Sequence, residues 1–313
     1  MSDLRQIPLF QPDTPEDINK FTELRYTIDL FQRYLLKEGK SDHTIKAFTS
    51  DLSLLAERTG QATPIGRYTT SLLNDFLDWL EHGRGVACSR KSYARRVTTL
   101  KVYFKWLHEL EAIQIDPAKA VLQRSGPAPL SPILTDDEIT EALLAARDMK
   151  RGEERDTRPE MLLRLLVETG IKKSEAMRLT PKDVNRGDAD TPLLTIKGKS
   201  GRNVFKERQI PVSNQWVWLL DRYLGQYTPQ ETIFNCTARN LEYILEDIGD
   251  RAEIPMKLSF EMLRWTCAVR DFRQGMDEES IREKLGLSPI SWVETSAKIH
   301  QLADIYAPNE VGV

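Results

Sequence analysis

Residues 123–133, QRSGPAPLSPI, set the first constraint on the fold. Pro127, Pro129 and Pro132 each lack an amide hydrogen and fix their own φ, so no helix runs through them. A stretch of this composition reads as an extended connector. It divides the chain into two parts with different patterning. The expected organisation is a polar tail over 1–21, a helical domain over 22–122, the linker over 123–133 and a mixed domain over 134–313. A chain of 313 residues is long enough for two cores.

Before the linker the apolar period is helical. Residues 23–39 place Leu24, Ile28, Phe31, Tyr34 and Leu35 on one face and end at Gly39, a C-terminal cap signal. Ser41 or Asp42 can cap the next helix, which carries Ile45, Phe48, Leu52 and Leu55 and ends at Gly60. A third helix fits Thr70 to Glu81. A fourth fits Ser89 to Leu110, with Val97, Leu100, Phe104 and Leu107 stepping by three and four. This predicts a compact bundle of about four helices.

The fourth helix is also distinctive in charge. Arg84, Arg90, Lys91, Arg95, Arg96, Lys101 and Lys105 occur with no acid among them, and Tyr93 and Tyr103 are interleaved. The plain alternative is a solvated basic face. The net charge of the whole chain is −3, so a run of cations without acids points to a phosphate-facing surface. Such a helix fits a major groove, with arginines at base edges and lysines on phosphates.

After the linker, Thr135 caps a helix whose first turn is Asp136-Asp137-Glu138. A helix over 136–148 is followed by a polar loop, an apolar helix from Met161 to Thr169 ended by Gly170, and another starting at Lys173. Residues 192–198 and 204–212 read as two strands joined by the turn KSGRN. Helices then fit 214–226, 237–249 and 261–273. The fold class is mainly α with a small antiparallel sheet.

Bulk properties exclude several classes. No apolar run approaches the roughly 20 residues of a membrane span, and the N-terminus lacks the apolar core of a signal peptide. Cys88, Cys236 and Cys267 show no metal spacing, nor do His43, His82, His108 and His300. No metal and no cofactor are expected. A cytoplasmic, nucleoid-associated protein is the reading that fits.

Three weak signals gain weight from their order. Thr169-Gly170-Ile171-Lys172-Lys173-Ser174-Glu175 opens a helix after a turn. Lys197-Gly198-Lys199-Ser200-Gly201-Arg202 is a basic hairpin loop. Arg264 is one arginine on an apolar helix, followed by Leu285-Gly286-Leu287. This succession resembles the tyrosine recombinases (phage integrases and Xer-type recombinases). Their pattern is Thr-Gly-Leu-Arg-x-Ser-Glu, a hairpin with Gly-Lys, then His-x-Leu-Arg-His, Leu-Gly-His and a nucleophilic tyrosine. The family's helical core-binding domain also carries a motif matched by Ser41, Thr44, Ala47-Phe48, Asp51 and Leu52. Its catalytic domain opens as Leu134-Thr135-Asp136-Asp137-Glu138 does here. The resemblance covers roughly residues 22–308. It implies a two-domain fold, a helical core-binding domain plus an α+β catalytic-type domain.

The resemblance also implies a site and shows what it lacks. In the family, cations and hydrogen-bond donors stabilise charge developing on the scissile phosphate while the tyrosine attacks. Here Lys172 stands at the first arginine, keeping the charge but losing the two-pronged grip. Lys199 matches the hairpin lysine and Arg264 the second arginine. Glu261 stands at the first histidine, Trp265 just after Arg264, Leu287 at the second histidine and Ser296 at the tyrosine. A carboxylate about 4 Å from a phosphate costs on the order of 4 kcal/mol at an effective dielectric near 20. Glu261 paired with Arg264 is the plain alternative. Tyr306 lies in a segment resembling the helix that follows the nucleophile, which gives it a packing role.

The expectation is therefore a DNA-binding protein on a recombinase scaffold, inactive in strand cleavage. It would act as an accessory, regulatory, replication or segregation factor, closing as a clamp on double-stranded DNA. The expected DNA contacts are Lys46, Arg90, Lys91, Arg95, Arg96, Lys101, Lys197, Lys199, Arg202 and Arg264. Two alternatives stay open: an active recombinase using Ser296 or Tyr306, and an assembly module. In the latter the segment 297–308 would engage another copy or an active recombinase.

Overall fold

The computed structural model describes residues 12–122, 129–187, 191–198 and 207–306. The chain forms two compact units, Met1–Ala128 and Pro129–Val313.

The first unit is built from α1 (Leu24–Lys37), α2 (Asp42–Thr59), α3 (Thr70–Asp78) and α4 (Arg90–Glu109). Ser41 rather than Asp42 caps α2, accepting a bond from the Thr44 amide, and Ser89 caps α4 in the same way. Each such cap is worth about 1 kcal/mol. The third helix stops sooner than its pattern predicts. From Trp79 to Gly83 the chain winds as a π-helical turn that buries Leu80. Gly83 is required there, since a Cβ would lie 2.8 Å from the Trp79 ring.

The α-helical period puts Phe31, Leu35, Leu52, Leu55, Phe76, Tyr103 and Phe104 in one core, each fully buried or nearly so. The Phe31 ring meets the edge of Tyr103 at 5.2 Å between centroids. The Tyr103 hydroxyl shares a hydrogen bond with Thr27, whose own hydroxyl donates to the Leu24 carbonyl. Tyr93 and Tyr103, expected beside the basic side chains of α4, are thus core residues, 7% and 0% exposed. They occupy the same inward period as Leu100 and Leu107.

The second unit centres on α6 (Thr157–Thr169). It follows α5 (Asp136–Asp148) and a small hairpin of β1 (Lys150–Arg151) and β2 (Glu154–Arg155), where the sequence alone reads as a polar loop. Helix α6 also starts four residues before its apolar run, with Asp156 capping the Arg158 amide. Most of its circumference is buried, which is the pattern of a central helix. It packs against α5, α8 (Asn214–Tyr227), α9 (Ala238–Arg251) and α10 (Phe260–Arg273). Helix α7 (Lys173–Ala176) is a single turn, shorter than expected.

The sheet has three antiparallel strands in the order β3 (Val184–Asn185), β4 (Leu193–Ile196) and β5 (Arg208–Pro211). Leu194 pairs with Ile210 and with Val184 and faces the core. Strand β3 is too short to carry a readable alternation.

A second cluster of buried residues joins α10 to α11 (Glu278–Leu285) and α12 (Pro289–Ile305). Val269, Ile281, Leu285, Ile299 and Leu302 form its centre. Helix α12 therefore folds back on α10 and α11 of its own unit. No helix among the described residues is long and apolar enough to cross a membrane.

Candidate functional site

Gly170 ends α6 in the left-handed region at φ 58°. A Cβ there would lie 3.2 Å from Leu285 and 3.3 Å from Cys267, so both the turn and the close approach call for glycine. The turn delivers Lys172 to the start of α7. Its amide donates to the Glu175 carboxylate at 2.9 Å, a side-chain cap reaching back along the turn.

Glu175 also receives both terminal nitrogens of Arg208, at 3.2 and 3.0 Å. Burial pushes its carboxyl up, but the Arg208 hydrogen bonds and charge, with the Lys172 amide, pull it below the usual carboxylate range. The remaining Arg208 nitrogen, Nε, donates to the Lys284 carbonyl at 2.6 Å. Arg264 reaches from α10 to two further carbonyls, Nη1 to Gly170 and Nη2 to Leu285, each at 2.6 Å. Two arginines thus meet the negative end of α11, where unpaired carbonyls and the helix dipole favour cations. Burial lowers the Arg264 guanidinium to about 10, with the Glu175 charge opposing the shift. It stays protonated at neutral pH.

Beside this network, and lined by its members Lys172, Arg264 and Leu285, lies a cavity of about 400 Å³. Lys172, Glu261, Arg264, Trp265 and Leu287 all line it, so five of the positions picked out by the recombinase pattern converge in one place. Ser296 is absent from the lining, and the preceding residue, Thr295, is there instead. The Thr295 hydroxyl donates to the Ser291 carbonyl at 2.9 Å, while that of Ser296 is 3.4 Å from the Val293 carbonyl. Trp265, Leu287 and Tyr306 pack against the α10–α12 cluster. Lys173 and Phe260 line the cavity too, and sequence reasoning missed them as site residues. Phe260 stands just before the helix expected over 261–273 and was not singled out. Glu175 was legible only as the last residue of the motif that opens at Thr169, and its pairing with Arg208 was not, because 33 residues separate the two.

The basic face of α4 differs from its expected form. Asp51 of α2, 1% exposed, takes Arg95 in a two-pronged pair, Nε to Oδ2 at 3.0 Å and Nη2 to Oδ1 at 2.7 Å. The Thr99 hydroxyl donates to the same carboxylate, and Arg96 Nε stands 3.6 Å from it. Arg96 Nη1 also lies 2.7 Å from the Cys88 sulfur. Arg95 and Arg96 therefore fasten α4 to α2. The acid absent from the run 84–105 is supplied by another helix, and Arg96 in particular is turned inward with 11% of its side chain exposed. Lys105 pairs with Glu109. Lys46, Arg90 and Lys91 are exposed, and Lys101 is half-buried.

In the sheet unit Lys197 forms an ion pair with the buried carboxylate of Asp183. Burial pushes that carboxyl up, and the Lys197 and Thr180 bonds pull it down further still. Lys199 and Arg202 lie outside the described residues.

Comparison with known proteins gives these positions a context. The phage integrase family model matches residues 132–298, and the phage integrase N-terminal SAM-like domain model matches residues 28–109. Tyrosine recombinase XerC of Mycobacterium sp. (strain KMS) is 30% identical over 283 residues, covering 84% of this chain and 91% of that protein. XerC of Chromobacterium violaceum is 28% identical, with 88% and 91% covered. Among solved structures, a lambda integrase dimer bound to a COC′ core site aligns with a TM-score of 0.69 at 15% identity, covering 93% of this chain and 80% of that one. XerH bound to palindromic difH substrate, a post-cleavage complex, aligns at 0.68 and 18% identity, with 95% and 98% covered. At these identities the likeness is one of fold. The helical unit, the α+β unit and the converging positions around Arg264 agree with the sequence matches: the chain belongs to the phage integrase family, as a Xer-like member of the tyrosine recombinases.

Proposed function

We propose that this protein binds double-stranded DNA without cutting it, as an accessory or regulatory factor in recombination or integration, or in replication or segregation. One observation carries the reading. Among the described residues no tyrosine lines the cavity at Arg264, and Thr295, the one hydroxyl-bearing residue of the lining, donates its proton to a main-chain carbonyl. A strand-cleaving enzyme of this type needs an activated nucleophile at that place. The other replacements point the same way. Lysine at 172 offers a point charge where a planar fork grips phosphate, and leucine at 287 offers no donor. Tyr306 is engaged in packing, which weighs against a displaced nucleophile.

DNA as the partner is supported by the proteins that share the fold. The lambda integrase and XerH neighbours were solved on DNA. The cations we assign to phosphate contacts are Lys46, Arg90, Lys91 and Lys101 in the helical unit and Lys197 and Arg264 in the other, with Lys199 and Arg202 close to Lys197 in sequence. Arg95 and Arg96 serve mainly to hold α4 in place.

The test uses a nicked suicide duplex that traps covalent intermediates. Mobility shift should show a complex, and denaturing electrophoresis should show no protein–DNA adduct. An adduct that disappears in Tyr306→Phe or Ser296→Ala would overturn the proposal.

A further inference from the structure

The cavity at Arg264 has two kinds of lining. Trp265, Ala268, Leu285 and Leu287 are apolar, whereas Lys172, Lys173 and Arg264 are cationic. Glu261 is the one acid among the described lining residues. A bare phosphate would use the cations and leave the apolar part wet. A hydrocarbon would do the reverse and strip water from three cations, which is unfavourable. The lining matches a ligand that is flat and apolar at one end and anionic at the other.

We propose that this cavity binds a nucleoside monophosphate unit, with the base against Trp265 and Leu287 and the phosphate beside Lys172 and Arg264. Its volume of about 400 Å³ falls within the range of small-ligand sites. Aromatic rings stack on bases of any sequence. The Gly170 and Leu285 carbonyls each take one hydrogen bond from Arg264. A guanidinium has five N–H groups in all, so these bonds fix its orientation and leave donors for an anion. Lys173 lines the cavity too, but its charge is matched by Glu242 of α9, so Lys172 and Arg264 carry the phosphate contact. Glu261 opposes the phosphate and sets the affinity below what the cations alone would give.

The unit has two sources: a free nucleotide, or a nucleotide of bound DNA drawn out of the stack. The second source rests on the DNA-binding reading, and the first does not.

The experiment measures binding to the full-length protein by titration calorimetry, using dAMP, deoxyadenosine and inorganic phosphate. The expected result is dAMP bound roughly tenfold more tightly than either part, in line with the usual worth of one base–aromatic stack. Glu261→Gln should tighten dAMP several-fold, and Lys172→Gln should weaken it. If dAMP binds no better than phosphate, or if both variants leave its affinity unchanged, the assignment is overturned. A duplex with a single-nucleotide bulge separates the sources. Tighter binding of the bulged than of the perfect duplex assigns the site to DNA, and equal binding of the two assigns it to the free nucleotide. If dAMP behaves as expected and no duplex is bound, the cavity assignment stands and the DNA-binding reading fails. If duplex is bound and dAMP matches phosphate, the reverse holds.

Discussion

Glu175 accepts the Lys172 amide and both terminal nitrogens of Arg208 while only 5% exposed. Its carboxyl is held below the usual carboxylate range in the folded state. Its contribution to stability is therefore fully present above the unfolded value and is lost as pH falls through the folded one. Urea midpoints measured from pH 6 down to pH 3 should fall steeply for the native protein below about pH 4.5, near the unfolded carboxyl value. Glu175→Gln should flatten that acid limb and lower stability at neutral pH by roughly 3 kcal/mol, the scale for breaking a buried pair. An unchanged acid limb would show that other carboxylates govern it. What can be read from sequence at this scale is set by distance along the chain. Thr135 was legible as a cap, and Ser41 as one of two candidates beside Asp42, because each meets its partner three residues on. Asp51 was not legible as the partner of Arg95, because 44 residues separate them and nothing in either neighbourhood marks the pair.

The C-terminus of α11 shows how one element is fitted to several others. Gly286 caps it at φ 60°, and a Cβ there would lie 2.7 Å from Arg208 Nη1. Alanine at this position meets both backbone strain and a displaced guanidinium. Gly275 has φ 85°, and nothing lies within 4 Å of the place a Cβ would take, so alanine there meets strain alone. Both substitutions should lose about 1–2 kcal/mol to left-handed strain, with Gly286→Ala losing more. Equal denaturation midpoints for the two variants would show that the Arg208 contact gives way freely. Elements of this kind differ in legibility. The long helices α1, α2, α4 and α10 carry enough turns for the apolar period to define them. Strands β1, β2 and β3 have two residues each and carry no period, so only tertiary pairing reveals them. Helix α12 has an inward row of Thr295, Ile299 and Leu302, and that phase explains why Thr295 rather than Ser296 lines the cavity.

At the scale of the molecule, each unit has its own core, Ile18 to Val121 in one and Leu134 to Leu263 in the other. The fragment 12–122 should therefore unfold cooperatively when expressed alone, as seen by circular dichroism. If both units contact the duplex, its affinity should also fall less steeply with salt than that of the whole chain, since each neutralised phosphate adds about 0.9 to the log–log slope. Equal slopes would assign every phosphate contact to the helical unit. The chain divides into its two units between Ala128 and Pro129, within the stretch that the three prolines mark in the sequence, and residues 123–128 lie outside the described residues. The order of turn, hairpin and arginine helix made the family legible. The cavity's mixed lining was not, because Phe260, Trp265, Leu287 and Thr295 meet only when α10 and α12 close on each other. Arg264 has a consequence beyond the site. It ties α10 to a carbonyl 94 residues upstream and to another 21 residues downstream. Both bonds hold α10 to the turn after α6 and to the end of α11 whether or not a phosphate is present. In this chain the arginine is a fastening between three segments as well as part of the cavity lining, so its retention here does not by itself speak for strand cleavage.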